Sequence, residues 1–193
     1  MRAIIKRIAQ DLSTLIILPL FIWHQIESLI IGKQRSFQGA SQFVSLIPGI
    51  FGDFLRNSFY RLALDSCSRD AIISFGTVFS SCACKIGHHV SMGIDCLISQ
   101  CEIQDNVIMG SNIMILSGNK QHSFADIDIP IRLQGREFKS IAIGEDCWVG
   151  NGAIIMANIG KKCVVGAGSV VTKDTEDFSV LAGNPARVIK KRI

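Results

Sequence analysis

Residues Ile143 to Val171 read IGEDCWVGNGAIIMANIGKKCVVGAGSVV. An aliphatic residue recurs at Ile143, Val149 and Ile155, and again at Ile159, Val165 and Val171, six residues apart within each set. Glycine usually follows it, and a small residue (Cys147, Ala153, Cys163, Ser169) stands four places on. Six is neither the helical period nor a strand alternation. So short a repeat cannot bury its own apolar residue, and neighbours must stack into one continuous core. If each hexad is one flat side of a triangular coil, three sides close a turn, with the aliphatic and the small residue both inside. The glycine after each aliphatic would then supply unusual dihedrals at a tight corner.

The same rhythm runs upstream through Ile86, Met92 and Ile98, then Ile103, Met109 and Ile115, with Val90, Cys96, Val107 and Ile113 as inward partners. Ile73 and Phe79 keep the step before Ile86 arrives one place late, so the first coil is imperfect. The competing reading of these short strands is a β-sandwich, which has no reason to repeat every six residues. One side is short: Ile155 to Ile159 spans four residues.

The ending GAGSVVTKD followed by AGNPARVI (residues 166–174 and 182–189) resembles that of the hexapeptide-repeat acyltransferases, and the resemblance covers roughly residues 70 to 193. It implies a left-handed parallel β-helix, here mainly β with about five coils, a protruding loop and N-terminal helices ahead of it. Four segments are expected. Residues 1–36 form a hydrophobic helix, 37–67 an amphipathic capping region, 68–176 the β-helix with loop 117–142 inserted, and 177–193 a tail contributing to a coenzyme A site.

The formal charge of +4 is modest, and no aromatic-basic interleaving accompanies it, so nucleic acid is not an expected partner. Of seven cysteines, Cys96, Cys147 and Cys163 fall on inward positions and act as small hydrophobes. Cys82 and Cys84 have no second pair at metal-ligand spacing, and a reducing cytosol is the simpler setting.

The N-terminus is basic (Arg2, Lys6, Arg7) and then apolar from Leu12 to Trp23, interrupted by Pro19 and followed by His24, Gln25 and Glu27. The uninterrupted apolar run is shorter than the roughly 20 residues of a spanning helix, and no small-x-small site follows it as in a signal peptide. We expect a helix in or on the inner face of the cytoplasmic membrane, its basic residues at the headgroups; the alternative is packing against a partner subunit. From Pro48, the residues Ile50, Phe51, Phe54, Leu55, Phe59, Leu62 and Ala63 recur at helical spacing, and the open end of a solenoid needs a cap.

The hexads stop between Ile115 and Ile143. A long loop inside a compact repeat is usually functional, and this one contains His122, one of four histidines. The pattern H-x-F-x-x-x-x-x-P-I with Q-G following resembles the sugar-acetylating members, in which this loop carries the catalytic histidine. Imidazole titrates near neutrality, so its neutral form suits removal of an acceptor proton during direct acyl transfer from a thioester. Asp126, Asp128 or a backbone carbonyl would orient the ring. His88 and His89 read as surface or subunit-contact residues, and His24 as the polar face of its helix.

The resemblance further implies acetyl-CoA as co-substrate, bound between neighbours of a homotrimer. The matching donor contacts are Asn151, Ala167, Thr172, Lys173, Arg187 and Lys190, with Lys173 and Arg187 meeting the phosphates. Simple coil geometry would also explain Ala167 and Thr172, and solvation Lys190. Some members place an asparagine on an earlier coil to position the acceptor; here that region reads I-D-C and offers Asp95. Trp148, outward on its coil, suits an interface beside the acceptor.

The expected function is O-acetylation of a sugar hydroxyl on a surface or exopolysaccharide precursor, lipid-linked if the enzyme is membrane-bound. Alternatives are N-acetylation of an amino sugar, a non-catalytic trimeric scaffold, and a zinc hydratase resembling the γ-type carbonic anhydrases. For the last, His88 or His89 with His122 would supply two ligands, but the H-x-x-x-x-H partner is missing, since residue 117 is Ser and residue 127 is Ile. No metal is therefore expected.

Overall fold

The hexads become the flat sides of a parallel β-helix. The computed structural model describes residues 2–192, with side chains from residue 4 onward. Three parallel sheets run along the coil. The first holds Ser66–Cys67, Cys84–Ile86, Cys101–Ile103 and Ile141–Ile143. Six strands make the second, from Ile72–Ile73 to Ser179–Gly183, and five the third, from Val78–Phe79 to Val170–Val171. Inward residues stack in columns: Ile86 beside Ile103 beside Ile143, Met109 beside Val149 beside Val165, and Ile98 beside Ile115 beside Ile155. All are buried, as are Cys96, Cys147, Ala153, Cys163 and Ser169. Each fully buried aliphatic contributes about 1.5–3 kcal/mol. All seven cysteines are free.

The corner glycines act differently from expectation. The left-handed backbone falls three places after the aliphatic, at Asp95 (φ 57°), Asn112 (φ 57°), Asp146 (φ 54°) and Gly152 (φ 69°). The glycine directly after the aliphatic is instead where successive coils touch. A Cβ on Gly150 would lie 2.6 Å from the Ala167 nitrogen, and one on Gly144 2.6 Å from the Lys161 nitrogen. These glycines are demanded by close approach, not by dihedral freedom.

From the first sheet to the second, and from the second to the third, the inward step is always six residues. At the third corner it varies: seven from Phe79 to Ile86, five from Ile98 to Ile103 and four from Ile155 to Ile159. Apart from Gly118 in the insert, no described residue there has the positive φ that sets the length of the other corners. The long insert leaves at this same corner, between Met114–Ile115 and Ile141–Ile143. The four-residue side is accommodated by reducing the first sheet to a single bridge, Ile143 to Ile159.

There are about six coils rather than five, because residues 177–193 are not a loose tail. Ser179–Gly183 pairs in parallel with Val164–Val165 and completes another turn. The chain then reverses, and Ala186–Lys191 adds an antiparallel strand that covers the last edge. The coil also starts slightly earlier than expected, at Ser66.

Three helices precede it: α1 (Arg2–Ile31), α2 (Lys33–Ser45) and α3 (Gly49–Ala63). The first helix ends at Gly32 (φ 88°), whose N–H reaches the Ser28 carbonyl at 3.1 Å, so the break falls before residue 36 and the capping region is two helices. Helix α1 runs through Pro19, and Ile4–Ile31 is long and apolar enough to cross a membrane by length and composition. The Arg2 side chain, expected at the headgroups, lies outside the described side chains.

Helices α2 and α3 cover the open end of the coil by supplying the polar partners a preceding coil would have provided. Arg56 Nε donates to the Ile73 carbonyl at 2.7 Å, and Asn57 Nδ2 donates to the carbonyls of Ser68 and Ala71 at 3.0 and 2.9 Å. Ser41 Oγ accepts the Phe79 N–H at 2.9 Å, and the Ser45 carbonyl accepts the Gly76 N–H. Buried backbone groups left unpaired would be costly, so these side chains are as necessary to the coil as its core.

Candidate active site

The insert is a folded loop whose base docks on the next coils. Lys139 N–H donates to the Ser117 carbonyl at 3.0 Å, and Asn119 Nδ2 to the Thr172 carbonyl at 3.3 Å. Further out, Gln134 staples the loop to itself. Its Nε2 donates to the carbonyls of Asp126 (2.8 Å) and Ile129 (2.7 Å), and its Oε1 accepts the Asp126 N–H. Beside His122, the Ser123 N–H donates to the Gly135 carbonyl at 2.8 Å, bracing the two limbs of the loop together.

His122 is exposed and lines a hollow with Lys120, Phe124, Arg136 and Glu137. Lys120 and Glu137 also line a second hollow, whose other wall is Met156, Thr172 and Lys173. Lys173 in turn borders a third, with Leu181, Ala186 and Arg187. The three adjoin through shared residues. They follow one another from the loop histidine, past the Thr172–Lys173 corner, to Arg187 on the final strand.

Other expected site residues lie elsewhere. Asn151 turns its Oδ1 to the Ser111 N–H at 3.0 Å, a bond between coils, and Ala167 is exposed one coil further on. Both sit at the corner between the second and third sheets. Trp148, 56% exposed, faces outward from the second sheet, and Asp95 occupies a left-handed corner position. Lys190 is exposed opposite Val180. Within one chain none of these five lines the three hollows.

Neither aspartate of the loop is seen to orient the histidine. Asp126 Oδ1 instead accepts the Asp128 N–H at 2.9 Å. His88 and His89 both contact the Asp70 carboxylate, at 3.5 and 3.2 Å, on the corner between the first and second sheets. His24 is buried with Nδ1 2.8 Å from Ser36 Oγ, packed edge-on against Phe37 and Phe59. No group of three His, Cys, Asp or Glu side chains among the described residues is placed to hold a metal.

Sequence reasoning overlooked Asn119, Lys120, Gln134 and Glu137. They lie outside the repeat, where no period marks a position as inward, and only the return of the loop onto Thr172 brings them to the site.

Comparison with known proteins agrees with this architecture. Residues 140–173 match the family described as hexapeptide repeat of succinyl-transferase. A Saccharomyces cerevisiae protein named as an acetyltransferase is 41% identical over 92 residues, 46% of this chain and 44% of that one. The galactoside O-acetyltransferase of Escherichia coli is 36% identical over 93 residues, 46% of this chain and 43% of its own length. These matches span less than half the length of either relative. The solved structure of a galactoside acetyltransferase in complex with coenzyme A has a TM-score of 0.72 at 25% identity, covering 82% of this chain and 80% of that one. Together these similarities agree with the parallel β-helix and with a hexapeptide repeat at residues 140–173.

Proposed function

We propose that the protein is an acetyl-CoA-dependent O-acetyltransferase that modifies a sugar hydroxyl on a surface or exopolysaccharide precursor. The observation that carries this reading is the row of three hollows with shared walls that leads from His122 to Lys173 and Arg187. A long donor with a reactive thioester at one end and phosphates at the other fits such a row. The similarity to proteins named galactoside acetyltransferases supports a saccharide acceptor.

In this mechanism the neutral His122 imidazole takes the proton of the acceptor hydroxyl as its oxygen attacks the thioester carbonyl. A backbone N–H stabilises the tetrahedral oxyanion. Collapse breaks the carbon–sulfur bond, and the leaving CoA thiolate recovers the proton from the imidazolium. Thr172 lies beside the pantetheine arm, and Lys173 and Arg187 meet the phosphates.

The remaining expected contacts, Asn151, Ala167 and Trp148, lie at or near a different corner of the coil. A homotrimer, with the second-to-third corner of one chain beside the loop corner of its neighbour, would bring both sets into one site. The coil surface supports this arrangement. The second and third sheets present Ile72, Ile108, Trp148, Leu97 and Met114 outward, while the first presents Lys85 paired with Glu102. The exposed apolar surface of α1 supports attachment to the inner face of the cytoplasmic membrane, which suits a lipid-linked acceptor by confining both to one surface.

His122→Ala is expected to lower acetyl transfer by about 10²–10⁴-fold, the usual contribution of a general base, without changing oligomer size. Near-normal transfer by that variant would sink the mechanism. Acetyl-CoA binding should weaken both in Lys173→Ala and when the 3′-phosphate is absent from the ligand. Unaltered binding in both cases would move the donor site elsewhere.

A further inference from the structure

The three helices bury an apolar core that includes Ile17, Phe37, Val44, Leu55 and Phe59, but they mix polar side chains into it and leave the outer side of α1 apolar and exposed. The side of α1 that meets α2 and α3 carries Gln10, Ser13 and His24, which are 6%, 4% and 1% exposed. Its outer side carries Leu15 (66%), Trp23 (62%) and Leu29 (86%), and the turn from α2 to α3 adds Leu46 (68%) and Ile50 (75%). Exposed cations stand at both ends of α1: Lys6 and Arg7, which line a hollow with Ser68, Asp70 and His88 of the coil, and Lys33 and Arg35 just beyond the other end.

Both ends of this unit are tied to the first coil. Gln10 Nε2 donates to the Arg69 carbonyl at 2.8 Å, and Asp11 pairs with Arg69. Just past the far end of α1, Gln38 Nε2 donates to the Ser80 carbonyl at 3.1 Å. Along its length Thr14 Oγ1 contacts Ser58 Oγ, and His24 contacts Ser36. Leaving the protein to cross a bilayer would carry Gln10, Ser13, Thr14 and His24 into hydrocarbon without these partners.

We infer that α1 lies in the plane of an anionic lipid surface and does not span it, so that the β-helix stands on the membrane on its helix-capped end. The inference rests on the membrane attachment proposed above and adds its geometry. The apolar face sinks to the boundary between headgroups and acyl chains, with the cations at the two ends of α1 drawn to the phosphates. Helices α2 and α3 lie between that surface and the first coil, so successive coils rise away from the membrane. The inserted loop, leaving after the third coil and docking on the fifth, is held above the surface, where a saccharide on a lipid carrier can reach it from below.

Two measurements separate the attachment from the geometry. Flotation with vesicles containing phosphatidylglycerol, compared with phosphatidylcholine alone, tests attachment. Binding to the anionic vesicles, weakened by Lys6→Glu with Arg7→Glu, is expected. An absence of flotation would overturn both readings and leave the apolar face to a protein partner, visible as a change of oligomer size on adding detergent. For the geometry, a Trp23→Phe, Trp148→Phe background carrying one new tryptophan at Ile8, Leu15 or Leu29 is read with lipids brominated at shallow or deep acyl positions. An in-plane helix gives quenching by the shallow label at all three positions, with similar depth. Deepest quenching at position 15 with shallow ends would overturn the geometry while leaving attachment standing. Should a new tryptophan disturb folding, native Trp23 in the single variant Trp148→Phe gives the same shallow or deep reading at one position.

Discussion

The β-helix and its helical cap differ in how much polarity they bury. In the coil, Ile73, Ile98 and Ile155 are fully buried, while the Lys85–Glu102 pair is exposed. In the cap Phe37, Val44, Leu55 and Phe59 are buried together with His24, Ser36, Ser41, Arg56 and Asn57, while Ile5, Leu15 and Leu29 on the outer side of α1 are exposed. The coil follows the rule for water, where burying apolar area dominates. The cap buries apolar area too, but it also faces backbone groups of an open coil, which demand polar partners, and it leaves the outer side of α1 apolar.

The comparison breaks most visibly at Arg56. Its guanidinium is fully buried, donates to the Ile73 carbonyl at 2.7 Å and the Ile47 carbonyl at 2.5 Å, and pairs with Asp53 at 2.5 Å. Arg56→Met should cost about 1–3 kcal/mol for each buried carbonyl it leaves without a donor, those of Ile73 and Ile47 among them, since Asp53 itself reaches solvent. Limited proteolysis should then cut the helices before the coil, because the polar face of the cap has lost its anchor. An unchanged melting temperature and digestion pattern would mean that apolar contacts alone hold cap to coil.

Inside the coil, two glycines one residue apart from Asn151 sharpen the other half of the comparison. Gly150→Ala forces a Cβ to 2.6 Å from the Ala167 nitrogen, and overpacking of this kind costs about 1–3 kcal/mol. Gly152→Ala meets only open space, with its nearest neighbour at 4.0 Å, but keeps a φ of 69°. Its cost should be about 1 kcal/mol, the strain of a left-handed non-glycine residue. Urea denaturation of both variants checks the order; a larger loss at residue 152 would return the corner to a question of dihedral freedom.

The smallest effect is expected at Asp70, where the first coil meets the second. Burial pushes its carboxyl upward, but hydrogen bonds from Ser68 Oγ, the His89 N–H and His88, with the charge of His89, outweigh that and lower it to about 2. A carboxyl lower in the folded than in the unfolded chain stabilises the fold above its unfolded value near 4 and loses that contribution as pH falls through about 2. Wild type should therefore lose slightly more melting temperature between pH 4 and pH 2 than Asp70→Asn does. Parallel acid profiles would show that this corner is held without the ionised carboxylate.

The coil was readable residue by residue because its period is local. Ile143, Val149 and Ile155 announce the inward residues on the three sides of one coil before any contact is known, and the structure buries all three. The function of the glycines was misread, since Gly150 meets Ala167 seventeen positions later, across a full turn of coil. Coil number was undercounted because Ser179–Gly183 and Ala186–Lys191 form a reversing pair without the hexad signature. In the insert, His122 stood out by residue type, but Gln134 and Asn119 did not. Their partners, Asp126 and Thr172, follow from how the loop returns.

Two kinds of information thus built this molecule. The alternation of an aliphatic, a close-packed glycine and a small residue every six positions specified a stacked coil, because each hexad repeats the same burial problem at short range. Which cap residues face inward, and which hollows join His122 to Lys173 and Arg187, came from elements meeting across long stretches of chain. A periodic pattern marks two faces of a helix, but it is the neighbour, whether an unpaired carbonyl such as that of Ile73 or a surface beyond the protein, that selects the face to be buried.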